Sequence, residues 1–325
     1  MSAVLPPAPL LERFRVDLAA LGKVTPPLGI AFSGGPDSLA LLLLAAAAFS
    51  GEVRAATVDH GLRDGSAAEA ALASKICASL SVPHTILSVT VPIGASVQAH
   101  ARASRYEALA DWMADAGVPT LLTAHHLDDQ AETLLMRLMR GAGVAGLAGI
   151  RARRPLGEAT LLRPLLGWRR ADLAAIVAAS GIAFATDPSN HDDAYDRVRV
   201  RRHLADANWL DPLPLARSAA ALADAEEALQ AFTDRCRDAI AEHEDHLLLS
   251  PAGLPTEIRR RLLLLCLRRF APVAAPRGEQ LSDLLALLEV GRAATLAGVQ
   301  IVPTPDGWRA SPAPPRRLAG APKQP

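Results

Sequence analysis

The sequence predicts an α/β protein: an open, mainly parallel sheet covered by helices, followed by a smaller, mainly helical C-terminal domain. Three observations predict it. Short apolar runs of strand length alternate with helical patterns as far as about residue 208. Polar residues able to do chemistry follow directly after several of these runs, where open α/β sheets place their ligands. Beyond Asn208 the alternation gives way to long helical stretches. With 325 residues, half of them apolar, the chain can bury a full core and a second, smaller one. The expected divisions are 1–210, 215–311 and a disordered Pro/Ala/Arg tail over 312–325.

Leu10–Leu21 reads as an amphipathic helix, stopped by Pro26-Pro27 before a first strand through Leu28, Ile30 and Phe32. That strand runs into Ser33-Gly34-Gly35-Pro36-Asp37-Ser38 and then an Ala/Leu helix to Ala48. Two adjacent glycines let the backbone bend tightly toward a ligand, and the helix N-terminus supplies free N–H donors. Ser33 and Ser38 add hydroxyls, Pro36 suits the first helical position, and Asp37 offers a carboxylate for Mg²⁺ held against phosphates. A capped helix start, with Ser33 or Asp37 as N-cap, explains part of this pattern but not all of it together. The Lys of GxxxxGK[ST] is missing, which excludes a Walker loop.

A second strand, Val53–Val58, delivers Asp59 and His60, which are site residues or turn caps. Ser66 and Glu69 read as a capping box for a helix to Leu80, followed by a strand over His84–Val89. A helix over Ser96–Ala116, closed by Gly117, carries Arg102, Arg105 and Tyr106, with a solvated surface as the competing reading for its arginines. The fourth strand, Pro119–Ala124, ends in His125-His126-Leu127-Asp128-Asp129-Gln130-Ala131-Glu132. A helix beginning at His125 would align His125, Asp129 and Glu132 on one face, as metal ligand or general base. Acids complementing a helix dipole would explain Asp128 and Asp129 but not two histidines.

Gly141–Ile150 has too many glycines for a helix and reads as a mobile loop. A turn at Arg163-Pro164-Leu165-Leu166, a helix over Arg169–Ser180 closed by Gly181, and a turn at Asp187-Pro188-Ser189-Asn190 follow. Arg197, Arg199, Arg201 and Arg202 are either a solvated helix or arginines gathered against phosphate. Pro212 and Pro214 mark a linker, Leu215–His243 one long helix, Pro255–Phe270 and Gly278–Glu289 two more, and Ala294–Ala310 a hairpin.

The charges balance at 34 of each sign, so total charge does not announce nucleic acid. Basic residues are nevertheless nearly all Arg and concentrate at 151–154, 197–202 and 259–269, which suits phosphate. Cys77, Cys236 and Cys266 are isolated, without a CxxC, and read as structural thiols. No apolar run reaches about 18 residues, so a soluble, cytoplasmic protein with no membrane partner is expected.

SGGPDS resembles the pyrophosphate loop of the PP-loop ATPases, whose fold is the Rossmann-like, adenine nucleotide alpha hydrolase type. Together with VDHGLR at 58–63, AHHLDDQAET at 124–133, the Arg163 turn and DPSN at 187–190, it closely resembles the bacterial tRNA(Ile)-lysidine synthetase family over residues 28–203. The resemblance implies an enzyme that uses ATP and Mg²⁺ to join L-lysine to C2 of the wobble cytidine of a tRNA(Ile) with anticodon CAU. An adenylated cytidine would be the intermediate. It implies nucleotide binding by Ser33, Gly34, Gly35, Pro36, Asp37, Ser38, Asp59 and His60, with metal on Asp37 and Asp129. Asp37, His125, Asp129, Arg105 and Arg201 would be catalytic. Arg102, Arg105, Asp128, Glu132, Arg163, Asp187, Asn190, Arg197 and Arg201 would bind substrate. It also implies that 215–311 binds tRNA, and it leaves a homodimer open. Val198 stands where the family usually has Asn. A PP-loop tRNA thiolase and a non-catalytic ATP-binding sensor are the competing readings, the first disfavoured by the isolated cysteines.

Overall fold

The computed structural model describes residues 4–61, 65–90, 97–185, 196–207, 209–276 and 278–314. Two compact units divide the chain: Met1–Gly141 with Leu147–Ala221, and Ala142–Gly146 with Leu222–Pro325. Among the described residues no helix is long and apolar enough to cross a membrane.

The first unit is built on a six-stranded sheet. Its strands are β1 (Leu28–Ala31), β2 (Val53–Asp59), β3 (His84–Ser88), β4 (Thr120–Leu122), β5 (Arg153–Leu156) and β6 (Ala159–Leu162), ordered β3-β2-β1-β4-β6-β5. All neighbours run parallel except β5, which turns back on β6 as an edge hairpin. β4 is buried throughout and β1 in all but its last residue, Ala31, as expected of central strands covered on both faces. On one face lie α1 (Ala8–Ala20), α2 (Pro36–Ala48), α3 (Ser66–Ser79) and α7 (Arg170–Ser180), packed around Phe14, Phe32, Leu39–Ala45, Trp168 and Ile176. On the other, α4 (Val97–Ala116) places Leu109, Trp112 and Met113 against Leu121 and Leu161. Between these helices in sequence come α5 (Leu127–Leu138) and α6 (Val144–Leu147), and α8 (Asp196–Asp206) packs on α5. The strand order changes direction between β1 and β4, so the loops leaving their carboxyl ends diverge and open a crevice there.

Helix α2 explains its own position. Leu39–Ala45 is apolar on every face, and such a helix can only be an interior element. It is buried between the sheet, α1 and α7.

Several expectations need correction. Ser66 does not cap α3: Gly65 is the N-cap, and the Ser66 hydroxyl bonds Asp59 instead. The glycine-rich stretch over 141–150 contains the single turn α6, so it is not wholly loop. Pro212 and Pro214 are no linker but lie in the first turn of α9 (Pro212–Arg235), where proline costs no intrahelical hydrogen bond. That helix stops before a 3₁₀ turn at Arg237–Ala239, and Ile240 onward is strand.

The second unit contains the end of α9, α10 (Thr256–Phe270), α11 (Gly278–Glu289) and a five-stranded antiparallel sheet. The strands are β7 (Ile240–Glu242), β8 (Leu247–Leu249), β9 (Ala294–Leu296), β10 (Val299–Thr304) and β11 (Gly307–Pro312), in the order β7-β8-β11-β10-β9. The predicted hairpin is β10–β11, and α10 and α11 cover the sheet with Ile258, Leu262, Cys266, Leu284 and Leu288. Arg259, Arg261 and Arg269 pair with Glu289, Glu226 and Glu242. These three arginines of the 259–269 cluster are therefore answered by acids within the same unit.

Trp168 is fully buried, donates to Asp17 at 2.8 Å, and its carbonyl accepts the N–H of Leu127 that opens α5. Trp168→Ala will lower the unfolding free energy by about 3–5 kcal/mol. Urea denaturation measures it, and a loss below about 1 kcal/mol would show that Trp168 is not a keystone of this core.

Candidate active site

The loop after β1 and the loop after β4 meet at the crevice. Gly34 has φ +83°, a left-handed conformation that favours glycine, and Gly35 is the N-cap of α2 with Pro36 in its first turn. The Ser38 hydroxyl lies 3.1 Å from the Ser33 hydroxyl and donates to the Gly35 carbonyl at 2.9 Å. The Gly34 carbonyl accepts the N–H of Ala185 at 3.0 Å. The turn is therefore fixed before any ligand arrives, and the first-turn N–H groups of α2 have no acceptor within the helix. Asp37, on that first turn, projects toward the loop after β4.

His126, completely buried, occupies the centre. Its Nε2 lies 3.5 Å from Asp37 Oδ2 and 3.6 Å from Asp129 Oδ2, and its Nδ1 lies 3.6 Å from Asp128 Oδ2. These separations exceed ordinary hydrogen bonds, so the ring is held chiefly by charge. Burial opposes protonation, but Asp128, Asp37 and Asp129 outweigh it and raise the pKa from 6.5 to about 9. An imidazolium thus lies among three carboxylates. Asp37 and Asp129 face one nitrogen from two distant segments, an arrangement that oxygen-seeking Mg²⁺ fits. No cluster of three His, Cys, Asp or Glu with metal-ligand geometry exists among the described residues, so substrate oxygens would have to complete such a site.

The structure divides the two histidines differently from the expectation. Helix α5 begins at Leu127, so His125 precedes it and is not on one face with Asp129 and Glu132. His126 is the N-cap, its N–H donating to Asp129 Oδ2 at 3.0 Å. His125 turns toward Thr123 and Arg163, whose Nε donates to its Nδ1 at 3.2 Å. Burial, Arg163, Arg197 and Arg102 push its pKa down to about 3. This surrounding disfavours the protonated ring and so weakens the expectation of His125 as a general base.

Glu132 is 1% exposed and gathers three guanidiniums. Arg170 reaches Oε1 at 3.0 Å, Arg201 reaches Oε1 at 2.8 Å, and Arg197 reaches Oε2 at 2.8 Å and Asp129 Oδ1 at 3.0 Å. Burial alone would raise the Glu132 pKa, but Arg201 and Arg197 lower it from 4.5 to about 2. Of the expected substrate ligands, Arg197 and Arg201 therefore face the site already paired. Asp128 accepts the N–H of Arg170 at 2.8 Å and so joins α5 to the start of α7. Its pKa falls to about 2 because His126 and that N–H overcome burial.

The remaining expected residues are less closely engaged. Asp59 accepts the N–H of Gly61 at 2.9 Å, the turn-capping alternative, and this bond with Ser66 lowers its pKa. His60 is lowered by burial and by Arg105 beside it. Arg105 is exposed on α4, and Arg163, at the end of β6, is buried against His125 and the Arg151 carbonyl. Asp187 and Asn190 lie outside the described residues. Sequence reasoning missed His126 as the central group and Arg170 as a partner of Glu132. The N-terminal position of Arg170 on a predicted helix close behind the Arg163 turn was the available signal.

The Glu132 geometry sets an acid-stability test. A carboxyl with folded pKa about 2 against 4.5 contributes stability above pH 4.5 that is lost as pH falls toward 2. Glu132→Gln will be less stable than the wild type by about 3 kcal/mol at pH 7. The difference will shrink by about 2 kcal/mol at pH 3. Urea melts at both pH values measure it, and a gap independent of pH would dissociate Glu132 from its charge.

Comparison with known proteins agrees with this geometry. A family model described as a PP-loop domain matches residues 11–208. The chain is 45% identical over 313 residues to the tRNA(Ile)-lysidine synthase of Novosphingobium aromaticivorans, covering 94% of each chain. It is 43% identical over 298 residues to that of Zymomonas mobilis subsp. mobilis, covering 90% of each. Among solved structures it is similar in fold to the U34-tRNA thiolase NcsA from Methanococcus maripaludis with its 4Fe-4S cluster. The TM-score is 0.54 at 16% identity, over 68% of this chain and 78% of that one. With a PP-loop domain and a match to relatives over nearly its whole length, the chain belongs to the tRNA(Ile)-lysidine synthase family.

Proposed function

We infer that the chain is an ATP-dependent ligase that joins L-lysine to C2 of the wobble cytidine of a tRNA(Ile) with anticodon CAU. The observation that carries this reading is the convergence of Asp37 and Asp129 on one nitrogen of His126 beside the fixed Gly34–Gly35 turn. A nucleotide triphosphate laid across that turn meets helix N–H groups on one side and carboxylates on the other. In the first step the cytidine O2 attacks the α-phosphorus, a P–O bond breaks, and pyrophosphate leaves into the cradle of Ser33, Gly34, Gly35 and Ser38. In the second the lysine ε-nitrogen attacks C2, the C2–O bond breaks, and AMP leaves. Asp37 and Asp129 are the residues that would hold Mg²⁺, which when bound neutralises charge developing on the phosphates.

The chain's own groups divide the rest. Burial and the cations around it disfavour proton uptake by His125, which leaves Asp129 of the two groups expected to take the proton from the attacking amine. The imidazolium of His126 keeps three carboxylates close together in one buried place. The paired Arg197 and Arg201 present cationic donors beside Asp129, so the amino and carboxylate ends of lysine each find an opposite charge. The use of ATP and tRNA as substrates supports a cytoplasmic reaction.

A thiolase needs reactive sulfur or a cluster. Burial raises Cys77 and Cys266 to about 12, and all three cysteines are unpaired and apart in sequence, which argues against that chemistry.

Purified protein with ATP, Mg²⁺, lysine and the CAU tRNA will yield a cytidine carrying lysine, with AMP and pyrophosphate, as read by mass spectrometry of the digested tRNA. Sulfur in place of lysine, or ATP binding without turnover, would overturn the assignment. Asp37→Ala will lower AMP formation by at least about 100-fold with the fold retained. Wild-type rates in that variant would remove Asp37 from the mechanism.

A further inference from the structure

A second concentration of charge adjoins the site on the His125 side. The ring of Tyr106 is flanked by Arg154 of β5, whose Cζ lies 4.1 Å from the ring centroid, and by Arg102 of α4 at 5.1 Å. Arg163 bonds the Tyr106 hydroxyl and reaches on to His125 Nδ1. Three guanidiniums therefore surround one phenol, and only Arg102 is exposed.

What distinguishes this group is the absence of acid. Elsewhere in this unit the arginines of the site are answered by carboxylates, as Arg170, Arg197 and Arg201 are by Glu132. Among the described residues, none of Arg102, Arg154 or Arg163 pairs with an Asp or Glu. The Nε and Nη2 atoms of Arg154 are buried without a protein acceptor, and Arg163 is only 3% exposed. Burial alone would raise the Tyr106 phenol, yet the three cations outweigh it and lower its pKa. Buried like charges held together without a counter-ion are costly, and an anionic substrate group is what such a site is shaped to receive. Guanidinium forks match phosphate in particular.

We propose that Arg102, Arg154 and Arg163 around Tyr106 bind a phosphodiester of the tRNA, next to the nucleotide being modified. This rests on the function proposed above. The phosphates of ATP have the same chemistry, but the Gly34–Ser38 turn already provides for them, and that turn meets Asp37 and His126 whereas the arginine cluster meets His125. Arg154 belongs to the basic run at 151–154, but its link to Tyr106 is not local: Pro155 follows it in a short edge strand, and its guanidinium reaches the ring only through the fold.

The test is direct binding of the CAU tRNA to the whole protein across a salt series, beside calorimetric binding of ATP. Arg154→Ala will weaken tRNA binding about tenfold and lower the slope of log affinity against log salt by about one, with ATP affinity unchanged. Arg154→Gln, which keeps bulk and loses charge, will do the same if the charge is what binds. Unchanged tRNA affinity and salt slope in the Gln variant would overturn the proposal. A loss confined to ATP would overturn it too, since the anion would then be the nucleotide. Because binding is read without turnover, a wild type that binds tRNA with the full salt slope but makes no lysidine would sink the proposed reaction and leave this site standing.

Discussion

The carboxylate of Glu132 sets the rest of the site in place. It is buried on α5 and could not remain charged there alone. Arg170 brings the start of α7 to it, and Arg197 and Arg201 bring two turns of α8. Removing one member of such a group typically costs about 3–5 kcal/mol because the others are left buried and unanswered. Arg197 also holds Asp129, one turn earlier on α5, so the group that fixes the helices also fixes the acid that faces Asp37. Structure and chemistry share one set of charges here, and a substitution at Glu132 will disturb both.

Around that centre the cations fall into two populations that a total charge of zero conceals. One is neutralised within the protein: the arginines on Glu132, those of the second unit on Glu226, Glu242 and Glu289, and His126 among its aspartates. The other is the trio around Tyr106, answered only by neutral groups such as His125 and a backbone carbonyl among the described residues. A buried ion pair is weak evidence of function, since it can be structural. Excess charge of one sign, held together by packing, needs a partner from outside.

Much of this was legible in the sequence because local patterns determined it. The strand, double glycine, proline and apolar helix over residues 28–48 specify a tight strand-to-helix turn by backbone requirements alone, and the structure has it with Gly34 at positive φ. The pair Asp37 and Asp129 followed from strand ends in a parallel sheet. What failed depended on a boundary or on a distant partner. Placing the helix start two residues early put His125 on the face of Asp129 and Glu132 and left His126, the N-cap, without a role. Ser66 has the residue pattern of a cap, yet the chain gives that position to Gly65 because Asp59 claims the hydroxyl. Strands β7 and β8 are three residues each, too short for an alternating pattern to show, and they pair only through β11. The partners of Arg259, Arg261 and Arg269 could not be read either, because Glu289, Glu226 and Glu242 are remote in sequence.

The stretch of α2 from Leu39 to Ala45, apolar on every side, has a consequence for motion. Its interior residues have no exposed face, so opening it means breaking the core, and its amides belong with the slowest in the protein to exchange with solvent. The turn that precedes it is bolted to the least yielding part of the molecule. An opening of the site therefore cannot proceed by local unfolding on that side.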